Sequence, residues 1–218
     1  MRWIDGDVRA GDIFMDVGAN IGIYTIAAAH RVGPKGKVYA FEPHKINALT
    51  LMQNVQLSGL ADRVDLFFFP LSDTAEVLRF NYASLASASS GSQFGHAKIA
   101  GKDRKFEPVA SEMAASMFTD DLVARNIIQP PSLIKIDVDG NELMILRGMR
   151  NLLSSKNKPR SVLVEINVGE NTSIDVFMKE CGYELSVRNL DRPGEKKLKQ
   201  GIPESKIEFN AIYRVVGA

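Results

Sequence analysis

Two glycines and an asparagine follow an apolar run near the start of the sequence. The run is Ile13-Phe14-Met15, and residues 16–22 read Asp-Val-Gly-Ala-Asn-Ile-Gly before a helical pattern begins. Glycine has no side chain, so at Gly18 and Gly22 the backbone can come close to a ligand. The N–H groups at the start of the following helix are donors for polar ligand groups. A strand, this turn and a helix together predict a nucleotide-binding turn.

The spacing within this turn separates the possible cofactors. Dinucleotide sites use Gly-x-Gly-x-x-Gly, whereas this chain has Gly-x-Asn-x-Gly. Asp16 stands at the end of the strand, where its negative charge would repel a pyrophosphate and attract an ammonium group. The turn therefore favours S-adenosylmethionine over a nicotinamide cofactor. An ordinary strand-to-helix turn with no ligand is the structural alternative.

Acidic and amide side chains follow several predicted strands. In open α/β sheets, ligands bind at the carboxyl ends of the strands, so these side chains are expected to share one rim. They are Asp16, Glu42, Ser72, Asp73, Asp137, Asp139, Glu165 and Asn167. An acid after the second strand commonly accepts from ribose hydroxyls, and Glu42 has that place. It would serve a nicotinamide site equally well, and Asp73 or Asp139 could simply cap a helix.

Strands and helices alternate along the chain. Apolar runs predict strands at 13–16, 37–41, 64–69, 132–138, 161–167, 183–187 and 207–215, with helices at 22–31, 43–57, 141–153 and 173–181. This order predicts an α/β fold, a Rossmann-like, doubly wound, mostly parallel seven-stranded sheet. The last two strands are joined by a charged loop, 188–206, that shows no helical pattern. An antiparallel strand at one edge is therefore expected.

One domain spanning 1–218 is expected, with an irregular insertion at about 81–117. It begins with residues 84–92, Ser-Leu-Ala-Ser-Ala-Ser-Ser-Gly-Ser, which are small and uncharged. Such a composition fits a solvated linker, but a long loop in a compact domain is often functional. Its place near the ligand edge favours a lid or acceptor-recognition loop, in which His96 is a candidate base.

The composition excludes several classes of protein. The 218 residues are 45% hydrophobic and 24% charged, with a formal net charge of +1, which gives no argument for a nucleic-acid partner. The single cysteine, Cys181, excludes an internal disulfide and fits a reducing compartment. No apolar stretch is long enough to span a bilayer, and no signal-peptide core is present. We expect a cytoplasmic protein whose oligomeric state the sequence leaves open.

Five segments in order resemble a known family. They are Asp-Val-Gly-Ala-Asn-Ile-Gly-Ile-Tyr-Thr at 16–25, Phe-Glu-Pro at 41–43, Leu-Ser-Asp at 71–73, Thr-Asp-Asp-Leu at 119–122 and Ile-Lys-Ile-Asp-Val-Asp-Gly-Asn-Glu at 134–142. Together they are similar to the FkbM-type S-adenosylmethionine-dependent methyltransferases. The resemblance implies the class I methyltransferase fold and O-methylation of a sugar, glycan or polyketide-like acceptor.

The resemblance also implies roles for single residues. Asp16, Gly18, Asn20 and Gly22 would bind the methionine and adenosine portions of the cofactor, and Glu42 the ribose hydroxyls. Ser72 and Asp73 would lie near the adenine, with Asp73 reaching its amino group. Two departures from the family pattern bear on function: Asp139 replaces the usual Glu, and Ile13 follows the start of the sequence without the usual preceding helix. A catalytically silent, cofactor-binding relative is therefore the main alternative, ahead of a nicotinamide-dependent oxidoreductase.

Methyl transfer from a sulfonium needs an aligned acceptor and a base for its proton. Asp137 is the predicted base, with Glu165 and Asp139 as further catalytic candidates. A less favoured version adds a divalent cation such as Mg²⁺, held by Asp137 and Glu165, to lower the pKa of the acceptor hydroxyl. Lys135 belongs to the same segment, 134–142. If it is buried, we expect it to need a carboxylate partner.

Overall fold

The computed structural model describes residues 2–95, 106–168, 171–190, 192–203 and 206–217. These residues form ten strands, β1 (Ile13–Val17), β2 (Lys37–Phe41), β3 (Val64–Phe67), β4 (Val77–Tyr82), β5 (Gln93–Phe94), β6 (Ala110–Ala115), β7 (Leu133–Ile136), β8 (Ser161–Ile166), β9 (Tyr183–Asn189) and β10 (Phe209–Val215). They also form eight α-helices, α1 (Arg2–Asp7), α2 (Ile23–Val32), α3 (Lys45–Leu57), α4 (Thr119–Ala124), α5 (Glu142–Arg147), α6 (Arg150–Ser154), α7 (Asn171–Glu180) and α8 (Arg192–Lys199). None of the described helices is long and apolar enough to cross a membrane.

Seven strands make the main sheet, in the order β3-β2-β1-β7-β8-β10-β9. β1 pairs in parallel with β2 and β7, and β7 pairs in parallel with β8, whereas β10 is antiparallel to both of its neighbours. The predicted fold class is confirmed, and the reversed strand lies one place inside the edge. Because β10 is reversed, its first residues and the last residues of β9 meet at the carboxyl edge of the parallel strands.

Apolar side chains on the two faces of the sheet form two separate cores. Helices α4 to α7 cover one face, which contains Met15, Phe41 and Ile136. Helices α1 to α3 cover the other, which contains Phe14 and Leu163. Since successive strand residues point to opposite faces, this division also fixes which polar residues share a face at the strand ends.

Two predicted features of the helices are wrong. The charged stretch 188–206 contains helix α8, whose three lysines in the last turn interact favourably with the helix dipole. The predicted helix 141–153 is two helices, separated at Gly148. A side chain there would meet the carbonyl oxygen of Ser72 at 2.1 Å, so the chain needs glycine at this contact. Asp120 then caps the new helix by accepting from the N–H groups of Asn151 and Leu152 at 2.9 and 2.8 Å.

The expectation that no helix precedes the first strand is also wrong. Arg2–Asp7 form α1, with Trp3 and Ile4 buried. The indole of Trp3 donates to Ser161 Oγ at 2.9 Å, and Asp7 forms an ion pair with Arg214 at 3.0 Å. Ser161 begins β8, so α1 packs near the amino ends of the parallel strands, away from the predicted ligand rim.

The predicted irregular insertion contains a second sheet. Strands β5, β4 and β6 pair antiparallel in that order, and Phe80, Tyr82 and Phe94 form a small core on it. The ordered part begins at Val77, before the predicted boundary at 81. Residues 96–105, including His96, lie outside the described part of the chain.

Candidate functional site

A cavity that is partly open to solvent lies at the carboxyl ends of β1, β2 and β7; with the open solvent counted, its empty space is about 740 Å³. Its walls come from the strand ends and from the insertion; they include Gly18, Asn20, Glu42, His44, Asn47, Phe80, Ser89, Ser90, Ser92, Phe94, Asp137, Asp139, Asn141 and Met144. Five of the predicted site residues thus meet at one place: Gly18, Asn20, Glu42, Asp137 and Asp139. Asp16, Gly22, Ser72, Asp73 and Glu165 are not in the lining.

The glycine-rich turn is shaped by close backbone contacts. Gly18 has a φ of +76°, and a side chain there would meet the carbonyl oxygen of Asp137 at 1.9 Å. Gly22, with a φ of +95°, precedes α2 and leaves room for Leu51. The N–H groups of Gly18 and Ala19 both donate to the carbonyl oxygen of Phe41 at 3.0 Å. The two glycines therefore serve the packing of the turn against its neighbours as well as its opening to the cavity.

Glu42 is buried beneath the turn with only 6% of its surface exposed. Its two carboxylate oxygens accept from the backbone N–H groups of Asn20, at 2.7 Å, and His44, at 2.8 Å. Burial raises the pKa of Glu42 to about 7, although both hydrogen bonds act to lower it. The carboxyl group is therefore fixed at the cavity wall and changes charge near neutral pH.

Asp16 and Lys135 form a buried ion pair under the site. Lys135 Nζ lies 3.3 Å from Asp16 and 3.5 Å from Asp137, and it donates to the carbonyl oxygen of Gly18 at 2.7 Å. Asp16 also accepts from Thr25 Oγ1 at 2.7 Å. Burial alone would lower the pKa of Lys135, but the two carboxylates outweigh it and raise that pKa. The predicted carboxylate partner of Lys135 is confirmed, and Lys135 joins β7 to the glycine turn from below.

Asp137 and Glu165 stand side by side at the ends of β7 and β8. Burial and the nearby charges of Asp137, Glu142 and Asp139 raise the pKa of Glu165 to about 9. Glu165 is therefore protonated at neutral pH. The Asp137 side chain is 38% exposed and lines the cavity; its role as the base stays a prediction.

Asp139 is engaged with the insertion. Its Oδ2 accepts from the N–H of Gly91 at 2.7 Å, and its backbone oxygen accepts from Gln93 Nε2 at 2.6 Å. Asp139 has a φ of +60°, a conformation that Asp adopts more readily than most side chains. In this structure Asp139 ties the end of β7 to the chain that covers the cavity; its predicted catalytic role stays a prediction.

Residues 84–92, which we name the roof segment, cross the top of the cavity. The carbonyl oxygen of Ser89 accepts from Asn20 Nδ2 at 3.2 Å and from Asn47 Nδ2 at 2.9 Å. That of Ser84 lies 2.9 Å from His44 Nε2. These contacts join the roof segment to the glycine turn and to the start of α3, which favours a lid over a solvated linker.

Three amide oxygens in the cavity lining are buried with no hydrogen-bond partner among the described residues. They belong to Asn20, Asn47 and Asn141. Each of these side chains uses its NH₂ group on the insertion, Asn141 by donating to Gln93 Oε1 at 3.1 Å. Unsatisfied buried acceptors are costly, so the three oxygens indicate a ligand that carries several donors. Neither Asn47 nor Asn141 was predicted as a site residue from the sequence. Asn141 lies within the motif 134–142, whereas no motif marks Asn47.

Ser72 and Asp73 are not in the cavity lining. Ser72 is buried, and its hydroxyl is 3.1 Å from Met144 Sδ, a residue that does line the cavity. Leu71, one residue earlier, forms part of the lining. The predicted adenine contact of Asp73 stays a prediction.

Within the described ranges, no group of three or more histidine, cysteine, aspartate and glutamate side chains is placed to hold a metal ion. The predicted cation site of Asp137 and Glu165 thus has two acidic groups, of which Glu165 is protonated at neutral pH. The third acid nearby, Glu142, is buried and accepts from the N–H groups of Val138 and Gly140 at 3.2 and 3.1 Å.

Comparison with known proteins identifies the family of this chain. The family model described as the Methyltransferase FkbM domain matches residues 16–185, which is most of the chain and includes every predicted site residue. The chain belongs to the FkbM methyltransferase family. The resemblance noted from the five motifs is thereby confirmed, and with it the assignment to the S-adenosylmethionine-dependent methyltransferases.

Two relatives that are named as methyltransferases are similar to this chain. The hexuronic acid methyltransferase AglP of Haloferax volcanii is 29% identical over 194 residues, covering 88% of this chain and 72% of the relative. The 31-O-demethyl-FK506 methyltransferase FkbM of Streptomyces tacrolimicus is 28% identical over 180 residues, covering 74% and 67%. Among solved structures, the methyltransferase FkbM from Methylobacillus flagellatus has a TM-score of 0.56 at 17% identity. It covers 93% of this chain but only 43% of its own, and shows the shared fold.

Proposed function

We propose that this protein transfers a methyl group from S-adenosylmethionine to a hydroxyl oxygen of a sugar, glycan or polyketide-like small molecule. The observation that carries the proposal is the set of three unpartnered amide oxygens beside the buried carboxyl group of Glu42, in a cavity that also contains Asp137. A donor-rich ligand and a base that faces it are the two things that such a methyl transfer requires.

The residues present fit S-adenosylmethionine. Its ammonium group, adenine amino group and ribose hydroxyls are hydrogen-bond donors, and the cavity offers acceptors on Asn20, Asn47, Asn141 and Glu42. Glu42 would take the ribose hydroxyls, since an acid that follows the second strand commonly does so. The roof segment would cover the bound cofactor and exclude water from it.

Asp137 is the proposed base. When bound, S-adenosylmethionine supplies an electrophilic methyl group on a sulfonium. Asp137 would take the proton of the acceptor hydroxyl. At the same time the hydroxyl oxygen would form a bond to the methyl carbon, and the carbon–sulfur bond would break. The Lys135 ammonium lies 3.5 Å from Asp137, and the protonated Glu165 stands beside it, so a cation and a second acid flank the proposed base.

The acceptor class rests on the relatives. One is named for hexuronic acid and the other for the 31-O-position of demethyl-FK506, so the names point to a sugar acid and to an oxygen of a polyketide-type molecule. A hydroxyl-bearing small molecule or glycan is therefore the acceptor that we propose. We also propose that the protein is cytoplasmic and that its acceptor is not a nucleic acid.

Isothermal titration with S-adenosylmethionine, S-adenosylhomocysteine and NADH tests the cofactor. We expect binding of both sulfur nucleotides and none of NADH. Absence of S-adenosylhomocysteine binding would overturn the proposal, and NADH binding would favour an oxidoreductase.

Turnover is then measured with a panel of hydroxylated acceptors and with RNA, with and without EDTA. Cofactor binding with no methylated product from any acceptor would indicate a catalytically silent, cofactor-binding protein. Loss of turnover in EDTA would indicate that a divalent cation takes part in the reaction.

A further inference from the structure

The face of the sheet that carries Asp137 continues, beyond the cavity, across three more strand ends. Leu163 of β8 and Ile212 of β10 belong to the core under α1 to α3. Since strand residues alternate, Glu165 lies on the same face as Leu163, and Asn210 on the same face as Ile212. Asn210 is the register partner of Glu165 on one side and of Asn189, the last residue of β9, on the other. Four polar side chains thus follow one another at a single edge.

We name Asp137, Glu165, Asn210 and Asn189 the polar row. Adjacent strands are about 4.8 Å apart, so the row is about 14 Å long, roughly the length of a short chain of pyranose rings. Asp137 and Glu165 lie side by side at its inner end. Asn210 is half-buried and Asn189 is exposed, so the row opens to solvent as it leaves the cavity.

Tyr24 lies at the inner end of the row. The Lys135 ammonium lies 5.3 Å from the centre of its ring, and Asp137 is one of the charges that affect the Tyr24 hydroxyl. An aromatic ring beside planar carboxyl and amide groups is a surface that suits a polyhydroxylated ring. Side-chain amides both donate and accept, which matches the hydroxyl group better than a charged residue of either sign does.

We propose that the polar row is the acceptor subsite and that it binds a hydroxyl-rich, sugar-type ligand. Asp137 meets the hydroxyl that becomes methylated, and Asn210 and Asn189 bind hydroxyls further along the same molecule. The inference rests on the proposed function, since it assigns the second substrate of the same site. Asn210 and Asn189 are specificity-determining residues on two strands that do not border the cofactor cavity.

The test uses the full chain with S-adenosylhomocysteine bound. The probes are the p-nitrophenyl glycosides of glucose, galactose, mannose and glucuronic acid, whose binding is followed by saturation-transfer NMR and isothermal titration. The variants are Asn210→Ala and Asn189→Ala. Asn157→Ala is the matched control, because Asn157 is an exposed residue that precedes β8 at the opposite edge of the sheet.

We expect at least one glycoside to bind the wild-type protein, and each row variant to weaken it by about two- to tenfold, the usual effect of losing one neutral hydrogen bond. Affinity for S-adenosylhomocysteine should not change in any variant. The proposed subsite is contradicted if no glycoside binds, if both row variants bind the glycoside as the wild type does, or if the control variant weakens binding equally. Failure of S-adenosylhomocysteine to bind the wild type would instead overturn the proposed function itself.

Discussion

The carboxyl group of Glu165 lies beside that of Asp137 on the neighbouring strand. Burial, together with the charge of Asp137, raises the pKa of Glu165 to about 9, so Glu165 is protonated at neutral pH. A carboxyl group that burial and a neighbouring acid keep neutral is a common feature of catalytic sites.

This pair makes the stability of the protein depend on pH. Glu165 is ionised in the unfolded chain above its ordinary pKa but neutral in the folded protein, so folding takes up a proton between about pH 5 and 9. The free energy of unfolding should fall across that range by up to about 1.4 kcal/mol per pH unit from this group. Glu165→Gln should show a flatter dependence in urea unfolding at several pH values. An equal slope in both proteins would contradict the assigned protonation state.

Asp137→Asn should remove the base and keep the site. The amide has nearly the size and shape of the carboxyl group, and Lys135 retains its contact with Asp16 at 3.3 Å. Loss of general-base assistance should lower kcat by about 10²- to 10⁴-fold. Affinity for S-adenosylhomocysteine, measured by titration, should stay at the wild-type value. Turnover near that of the wild type would assign the proton transfer to another group.

Glu42→Gln should weaken cofactor binding. Both carboxylate oxygens of Glu42 accept from backbone N–H groups, and an amide can accept with only one of its two ends. A lost charged hydrogen bond corresponds to about a tenfold to hundredfold weaker affinity for S-adenosylhomocysteine. Glu184→Gln, at an exposed position on β9, is the control and should bind as the wild type does.

The pKa of Glu42 also predicts a pH profile. With a pKa of about 7, Glu42 loses its proton as the pH rises from 6 to 8, and the ionised form is the better acceptor for ribose hydroxyls. Wild-type affinity for S-adenosylhomocysteine should therefore increase over this range, whereas the Glu42→Gln variant should show a weaker dependence. A profile that is flat in the wild type would mean that Glu42 does not contact the cofactor.

The parts of the site that follow from the order of strands could be predicted from the sequence. Apolar runs bounded by glycine and proline marked the strands closely; the predicted strand 37–41 has the bounds of β2. Because parallel strands end at one edge, the acids after them had to converge, and Gly18, Asn20, Glu42, Asp137 and Asp139 do line one cavity. Because side chains alternate between the two faces of a strand, Lys135 and Asp137 lie on one face of the sheet. The carboxylate neighbours of Lys135 could therefore be predicted as well.

The parts that depend on distant contacts could not be predicted. Gly148 interrupts a helix because it meets Ser72, a residue far away in the sequence, and nothing in the local pattern signals that contact. The partners of Asn47 and Asn141 come from the insertion, whose small, uncharged residues gave no periodic pattern. Helix α8 was missed because its eight residues, Arg-Pro-Gly-Glu-Lys-Lys-Leu-Lys, have no apolar stripe.

Breaking the buried ion pair should destabilise the fold. Lys135 is 3% exposed and Asp16 is fully buried, so Lys135→Met would leave an uncompensated carboxylate in the core. The expected loss is about 3–5 kcal/mol in the free energy of unfolding, measured with urea. Lys37→Met is the control, because its ion pair with Asp65 is partly exposed and should contribute less than about 1 kcal/mol. Addition of Asp16→Asn to Lys135→Met should recover part of the loss.

Two variants of Asp139 separate positioning from catalysis. Asp139→Ala removes the acceptor for the N–H of Gly91 and places Ala at a φ of +60°, so the roof segment should detach from β7. Asp139→Asn keeps an acceptor and tolerates that φ. Hydrogen exchange of the roof segment should be faster in the Ala variant, with S-adenosylhomocysteine bound about tenfold more weakly. The Asn variant should resemble the wild type in both measurements and in kcat. A large fall in kcat with Asn, while exchange and affinity are retained, would show that the carboxylate takes part in the reaction itself.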